Sequence, residues 1–379
     1  MSVFELEAVL ASARKREGLE DFGDLPFEEP LGVLLDGYAA APLSEVGSRI
    51  LRGGVVHSLR MRLRAQEWFR REPVVADEVL AAPVVVVGMM RSGTTLVQRL
   101  LAADPRFHCA LGWEVLEAAP PLAGEDARLA AGLAQEEQTR TWMPDLFAIH
   151  PMHAREAEEE IVFLSDAFLS HVPEAYADVP EYRSWIDTQD FAPAYAHLHR
   201  MLRLLQWDKR RRGGTASRWV LKTPAHLGYL EDLRATFPDL HVVHMHRDPL
   251  ATIPSGASLN ATLHAMHQST VDLDRVGAEW IDRMGWTNDR AMATRSSWDD
   301  SVVTDLEFED VVADPIGQVA KVYDALALEL TTDAETAMRQ WLVDRPREAG
   351  RPAYAAETYG LSPQQINERF AAYNERFRA

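Results

Sequence analysis

Residues 84–95 read VVVVGMMRSGTT, and this stretch carries the clearest indication of the fold. The four valines form a short, continuous run of β-branched residues, which is typical of a strand buried on both faces. The run ends at Gly88, and apolar residues with helical spacing follow from 94 to 103. A strand that passes through a glycine turn into a helix opens many α/β folds, so we predict such a fold here.

The turn between this strand and this helix has the glycine spacing of a phosphate-binding loop. Gly88 and Gly93 match the pattern GxxxxG, but threonine follows Gly93 where a P-loop has the lysine of GK[ST]. Backbone N–H groups of such a loop converge at the helix N-terminus and bind a phosphate together with the helix dipole. Arg91 adds a positive charge, and Thr94 and Thr95 add hydroxyl donors. A plain strand–turn–helix connection would explain the glycines but not these other residues.

Further apolar runs predict three more strands, at 218–222, 240–246 and 302–308. Continuous apolar runs are expected in a parallel sheet that is covered by helices on both faces. We therefore predict a P-loop-like α/β fold, with a mostly parallel sheet flanked by helices.

A second segment places an arginine where a predicted strand ends. In the sequence VVHMHRDP, Arg247 lies at the edge where open α/β sheets bind ligands. Asp248 suits a helix N-cap and Pro249 suits the first helical position. Ser255 follows about two helical turns later, although Pro254 is expected to kink this helix. Arg247 and Ser255 form either a clamp for a second phosphate or a structural Arg–Asp loop.

Composition excludes several classes of function. The formal net charge of −19 argues against nucleic acid as a partner and against anionic lipid surfaces. The one cysteine, Cys109, allows no intrachain disulfide and suits a reducing compartment. The N-terminus lacks the apolar segment of a signal peptide, and no apolar run is long enough to cross a membrane. We expect a cytoplasmic protein without a stable membrane anchor, and a homo-oligomer is compatible with the sequence.

The two phosphate motifs, in this combination and order, resemble those of the sulfotransferase superfamily. The RSGTT loop is similar to that of a bacterial branch and of tyrosylprotein sulfotransferases, and the resemblance runs from about residue 83 to the C-terminus. It implies transfer of a sulfuryl group from the co-substrate 3′-phosphoadenosine 5′-phosphosulfate (PAPS) to a hydroxyl on a small-molecule acceptor, without a metal. It also implies that Arg247 and Ser255 hold the 3′-phosphate. The implied ligands of the 5′-phosphosulfate are Arg91, Ser92, Gly93, Thr94 and Thr95.

The resemblance also implies catalytic residues. Lys222, in the sequence WVLKTP, would stabilise the leaving phosphate in place of the missing loop lysine, with Arg91 nearby. Glu114, in the sequence LGWE, is the first candidate for the base that deprotonates the acceptor, and His226 is the second. A salt-bridged lysine at a strand end and a helix-capping glutamate are the alternative interpretations.

The resemblance also implies that a basic loop near the C-terminus closes over the nucleotide, through Arg347 and Arg351. Two nearby residues depart from the family pattern. Phe308 stands where relatives often have tyrosine, and Pro352 stands where they often have a basic or polar residue.

The domain organisation follows from the same patterns. Residues 1–80 are predicted to form an N-terminal helical extension, with a long amphipathic helix at 43–71. Residues 81–379 form the sulfotransferase α/β domain, in which 110–215 is a helical insertion that covers the acceptor side. Aromatic and aliphatic residues in this insertion are as consistent with core packing as with an apolar acceptor site.

Two histidine-rich segments are not read as metal sites. His150, His153 and the glutamates at 156–160 are interpreted as the charged start of a helix. His244 and His246 alternate along a predicted strand and are read as strand residues that share one face.

Two other functions are compatible with a phosphate loop. A P-loop kinase or hydrolase would need the loop lysine, which is absent, and an acidic Mg²⁺ ligand at a strand end. The predicted strand 240–246 is instead followed by Arg247, with Asp248 as the expected helix cap. A non-catalytic nucleotide-binding protein of the same fold would keep the loop without the chemistry.

Overall fold

The valine run forms the first strand, β1 (Val84–Gly88), of a parallel sheet in the computed structural model, which describes residues 3–345 and 354–378. All five residues of β1 are buried, because helices cover both faces of the sheet. The other strands are β2 (Phe107–His108), β3 (Arg218–Lys222), β4 (His241–His246) and β5 (Val303–Glu307). The predicted α/β fold with a mostly parallel sheet is confirmed. Among the strands, the two-residue β2 was not predicted from the sequence.

The order of the strands brings the predicted motifs to one edge of the sheet. The order is β2-β3-β1-β4-β5, and all neighbours are parallel. Val86 pairs with Lys222 on one side of β1, and Gly88 pairs with Met245 on the other. After β1 the chain forms β2 and β3 on one side of that strand, and it then forms β4 and β5 on the other side. Such a switch point is where open α/β sheets bind ligands.

Alternate residues of β1 enter two different cores. Val84 and Val86 pack in one hydrophobic cluster, and Val85 and Val87 pack in the other. This alternation follows from the two-residue period of a strand.

Helices before β1 belong to the larger cluster. They are α1 (Leu6–Glu17), α2 (Glu28–Ala40) and α3 (Glu45–Arg71), followed by a 3₁₀ turn at Pro73–Asp77. The Ser44 hydroxyl caps α3 by accepting a hydrogen bond from the Gly47 N–H. The helix predicted at 43–71 is therefore present, while the domain boundary at residue 80 stays a prediction.

The next helices run from the phosphate loop through the predicted insertion. They are α4 (Thr94–Ala102), α5 (Gly112–Leu116), α6 (Arg128–Trp142), α7 (Pro144–Ile149), α8 (Ile161–Ser165), α9 (Val172–Tyr176), α10 (Pro180–Ile186) and α11 (Ala192–Arg211). The glutamates at 156–160 precede α8 and lie outside it, so the prediction that they begin a helix is wrong.

The remaining helices complete the cover of the sheet. They are α12 (Leu230–Thr236), α13 (Pro249–His267), α14 (Leu273–Arg295), α15 (Phe308–Ala313), α16 (Pro315–Ala325), α17 (Thr332–Asp344), α18 (Pro363–Arg369) and α19 (Ala371–Phe377), with 3₁₀ turns at Pro224–Tyr229, Asp300–Val302 and Ala356–Tyr359. As predicted, the Asp248 carboxylate caps α13, and Pro249 is its first residue. The helix continues through Pro254.

In the described ranges, 3–345 and 354–378, no helix has the length and apolar character to cross a membrane.

Candidate active site

The loop between β1 and α4 has the backbone conformation of a tight anion-binding turn. Gly93 has a φ of 92°, and Arg91 has a φ of 74°, so both lie in the left-handed region. A β-carbon at Gly93 would lie 2.6 Å from the ring of Phe308, which explains why glycine is required there. The Ser92 hydroxyl is buried and finds no hydrogen-bond partner among the described residues. A buried unpaired hydroxyl beside the first turn of α4 fits a bound anion.

The second phosphate motif lies directly against this loop. The Arg91 Nε donates to the Ser255 Oγ at 3.1 Å, and the Arg247 Nη1 donates to the Arg91 carbonyl at 2.8 Å. The guanidinium of Arg247 also stacks on Phe308, 3.9 Å from the ring centroid. The structure therefore brings together Arg91, Arg247 and Ser255, and Phe308 supports Arg247 through its ring face, which needs no hydroxyl.

Lys222 links the phosphate loop to the adjoining loop before α8. It is the last residue of β3 and is 1% exposed. Its Nζ donates to the Thr95 Oγ1 at 3.1 Å and to the Glu159 Oε1 at 2.5 Å. A buried ammonium is therefore held between a loop hydroxyl and a carboxylate.

Glu159 is the functional candidate that sequence reasoning missed. Burial alone would raise its pKa, but the charges of Lys222 and His150 and the hydrogen bonds from Lys222 and Thr223 hold that pKa below its ordinary value of 4.5. The carboxylate is thus ionised at neutral pH. The acidic run at 156–160 was visible in the sequence, but no spacing pattern assigns one of its glutamates to a lysine 63 residues away.

His226, the second candidate base, has both ring nitrogens engaged in a buried site. Its Nε2 lies 2.8 Å from the Glu160 Oε1, and its Nδ1 lies 2.9 Å from the Tyr195 hydroxyl. The other oxygen of Glu160 accepts a hydrogen bond from the Lys222 N–H at 3.0 Å. These contacts give His226 a role in fixing the end of β3.

Glu114, the first candidate base, is fully buried among cations. Its Oε2 accepts from the Lys209 Nζ at 2.5 Å and from the Leu111 N–H at 2.9 Å, and its Oε1 accepts from the Arg212 Nη2 at 2.7 Å. Lys209 lies in the last turn of α11 and Arg212 is its C-cap, so this glutamate joins α5 to the end of α11. The structure does not bring Glu114 to Lys222 among the contacts of the described residues, and its role as a base stays a prediction that these contacts do not favour.

A cavity opens beside the phosphate loop and the Lys222–Glu159 pair. It holds about 860 Å³ of space without atoms, part of it open to solvent. Met90 of the loop and Glu159 line it at one wall, and Trp280, Met284 and Trp286 of α14 line another. Neither Glu114 nor His226 is among the described residues that line it.

Part of the cavity wall is an internally neutralised network of charges. The Glu174 carboxylate accepts from Arg183 at 2.7 Å and from Arg283 at 2.9 Å, and His171 lies 2.7 Å away. Burial raises the pKa of Glu174, but His171, Arg283 and Arg183 together lower it to about 2. These charges satisfy one another, so they leave the cavity suited to an apolar molecule.

A second cluster of titratable groups lies on the neighbouring strands β4 and β5. Ligand atoms of His244, His246 and Asp305 lie within 4.8 Å of one another. The Arg295 Nη1 donates to the His244 Nδ1 at 2.8 Å and to the Asp305 carboxylate at 2.7 Å. A guanidinium already supplies the positive charge here, which fits the interpretation of both histidines as strand residues.

The predicted nucleotide contacts Arg347 and Arg351 lie outside the described residues.

A tight glycine loop at the start of a helix, one arginine in it and another beside it, and a buried lysine paired with a glutamate of a cavity wall are features expected of a group-transfer site for an anionic donor. Comparison with known proteins identifies the family of the enzyme. The Sulfotransferase family matches residues 83–333, and the chain belongs to this family. It is a sulfotransferase.

Individual relatives are consistent with this assignment. The chain is 28% identical over 306 residues to the omega-hydroxy-beta-dihydromenaquinone-9 sulfotransferase Stf3 of Mycobacterium tuberculosis, which covers 77% of this chain and 73% of that protein. The crystal structure of sulfotransferase STF1 from Mycobacterium tuberculosis H37Rv superposes with a TM-score of 0.85 at 32% identity, over 97% of this chain and 98% of that one. Sulfotransferase STF9 from Mycobacterium avium shares the fold, with a TM-score of 0.89 at 24% identity over 98% of this chain and 96% of that one.

Proposed function

We propose that this enzyme transfers the sulfuryl group of PAPS to the hydroxyl of an apolar alcohol or phenol, with the Lys222–Glu159 pair at the reacting centre. One observation carries the proposal: the Lys222 Nζ contacts both Thr95 of the phosphate loop and Glu159 of the cavity wall. A single cation thus joins the donor side to the acceptor side.

The donor side offers two sets of phosphate ligands. The loop N–H groups and the hydroxyls of Ser92 and Thr95 would hold the 5′-phosphosulfate at the start of α4, beside Arg91. Arg247 and Ser255, which lie against this loop, would hold the 3′-phosphate. A 3′-phosphate is what distinguishes this donor from ATP, so this clamp is the basis of donor selection.

On the acceptor side, Glu159 would take the proton from the acceptor hydroxyl as its oxygen bonds to sulfur. The bond between sulfur and the bridging phosphate oxygen breaks in the same step, and the electron pair stays on that oxygen. Lys222 would stabilise the negative charge that develops there, as fixed cations do in related phosphoryl transfers. As Lys222 turns toward the phosphate it weakens its pair with Glu159, and the carboxylate becomes a stronger base.

The acceptor class follows from the cavity and from one relative. The cavity is lined mainly by apolar and aromatic side chains, and segments between 110 and 215 contribute Ile161 and Val172 to it. Stf3 is named for an omega-hydroxylated menaquinone derivative, which is an apolar molecule with a hydroxyl. An apolar alcohol or phenol of this general kind is the acceptor that we propose here.

The test is a sulfation assay with labelled PAPS and a panel of apolar alcohols and phenols, together with a measurement of thermal stability. 3′-Phosphoadenosine 5′-phosphate (PAP) should raise the melting temperature, and ATP with Mg²⁺ should raise it much less. Labelled product should appear with apolar hydroxyl compounds. A preference for Mg-ATP would contradict the choice of donor, and PAP binding without any product would favour a non-catalytic binding protein.

A further inference from the structure

Two buried polar atoms of residues that line the cavity have no hydrogen-bond partner among the described residues. The Asn260 Oδ1 and the Trp280 Nε1 are buried and make no hydrogen bond within residues 3–345 and 354–378. Asn260 is 5% exposed and Trp280 is 9% exposed, and both line the cavity. The charged groups of the same wall, such as Glu174 and Arg283, are paired, so these two atoms stand apart from the satisfied network.

The two side chains come from neighbouring helices, Asn260 from α13 and Trp280 from α14. A β-carbon at Gly256 would lie 2.3 Å from the Trp280 Nε1, so the indole of α14 rests directly against α13 at Gly256. Asn260 is four residues further along α13, and residues at this spacing share a face. The indole nitrogen therefore lies about one helical turn from Asn260, and both residues line the cavity.

A buried polar group without a partner costs about 1–3 kcal/mol, so two of them in one wall indicate a polar group of a ligand. The indole N–H can only donate a hydrogen bond, whereas an amide oxygen can only accept one. A hydroxyl group both accepts and donates, and it matches this pair with one small group.

We propose that Asn260 and Trp280 bind a second hydroxyl of the acceptor, so that the preferred acceptors are apolar diols. This inference rests on the proposed function, because the first hydroxyl of the diol is the one that receives the sulfuryl group at Glu159.

The second site lies in the same cavity as Glu159 but apart from the donor ligands. Ser255, the proposed ligand of the 3′-phosphate, is five residues before Asn260, or about 7.5 Å along the axis of α13. An acceptor that reaches both Glu159 and Asn260 would have two hydroxyls separated by an apolar body. Met284 and Trp286 provide apolar surface in the same cavity.

The experiment compares 1-alkanols with the α,ω-diols of the same chain lengths, from hexane to dodecane. Binding is measured by calorimetry, with and without PAP. Two added hydrogen bonds should make the best diol bind at least about fivefold more tightly than its alkanol. Asn260→Leu and Trp280→Phe, which keep most of the side-chain volume, should each reduce this preference to about twofold or less. The control Met284→Leu changes the same cavity without a polar group and should keep the preference.

The outcomes separate this inference from the proposed function. A preference for diols that both variants lose, and the control keeps, supports the second site even if no sulfated product forms. Equal binding of alkanols and diols at every chain length, or a preference that survives in both variants, overturns it and assigns the unpaired atoms to bound water. Sulfation without any preference for diols would leave the proposed function intact and remove only the second site.

Discussion

Two glutamates of this enzyme each accept a hydrogen bond from a lysine at 2.5 Å, yet their surroundings differ. Glu114 has a second cation, Arg212, and a backbone N–H, so its charge is compensated within the protein. Glu159 has one lysine, which also contacts the phosphate loop, and it lines a cavity large enough for an organic molecule. The first pair joins two helices, whereas the second pair is placed where a donor and an acceptor would meet.

This comparison is the reason why we propose Glu159 as the base, and not Glu114, which the family resemblance implies. A general base needs to reach the proton that it removes. Glu114 lies in α5, and its three hydrogen bonds are made within the protein, away from the residues that line the cavity. Glu159 lies in the loop before α8 and lines the cavity.

The largest effect is expected from removing the carboxylate in the cavity. Glu159→Gln keeps the shape and removes the basicity, so kcat should fall about 10²–10⁴-fold in single-turnover sulfation at saturating donor. Glu114→Gln is the matched control, and it should lower the melting temperature while changing kcat by less than about tenfold. A nearly inactive Glu114→Gln beside an active Glu159→Gln would reverse the roles of the two glutamates.

Replacing each of the two lysines by methionine should separate an effect on catalysis from an effect on stability in the same way. Lys222→Met removes the cation that faces the leaving phosphate and should lower kcat about 10²–10³-fold. Lys209→Met removes a partner of Glu114 and should act mainly on the free energy of unfolding, as measured by denaturant titration. Equal losses of kcat in both variants would mean that Lys222 does not act on the leaving phosphate.

A smaller effect is expected on the donor side. Arg247→Ala removes a donor to a charged group, which is worth about 1.5–3 kcal/mol, so affinity for PAP should fall at least about tenfold. Discrimination against adenosine 5′-phosphate, which lacks the 3′-phosphate, should fall with it. Arg234→Ala is the control, since this arginine of α12 stacks on Trp298. Full discrimination in Arg247→Ala would place the 3′-phosphate elsewhere.

The smallest effect is expected from pH, because kcat/KM should hardly change with it above about pH 5. The pKa of Glu159 lies below its ordinary value of 4.5 in the free enzyme, so this base is ionised at every higher pH. With an aliphatic alcohol, kcat/KM should stay level from about pH 5 to 8 and fall only as acid protonates the carboxylate. A histidine base of ordinary pKa would instead lower the rate below about pH 6.5. A pH dependence that His226→Asn abolishes would give the role to the histidine.

The strands and turns around the phosphate loop could be predicted because local chain features build them. The valine run, the glycines and the Asp248 cap each act on their neighbours, and β1 and β4 were recognisable as separate strands. The sequence did not predict that β1 and β4 are parallel neighbours, and this pairing brings Arg247 to Arg91. The two-residue strand β2 was too short to leave a pattern.

The acceptor side could not be predicted in the same way, because contacts between distant segments build it. Lys222 contacts Glu159 and Glu160, and these two glutamates lie in an irregular segment before α8. The acidic run looked like the start of a helix, and only the folded chain shows which glutamate meets Lys222. Trp280 likewise packs against α13 because Gly256 allows α14 to approach that helix closely.

The most direct test of the central claim is a crystal structure of the enzyme with PAP and an apolar alcohol bound together. The account predicts that the alcohol oxygen lies within about 2.6–3.2 Å of the Glu159 carboxylate, with the Lys222 ammonium on the 5′-phosphate. An alcohol bound against His226 or Glu114, or a 5′-phosphate out of reach of Lys222, would contradict it.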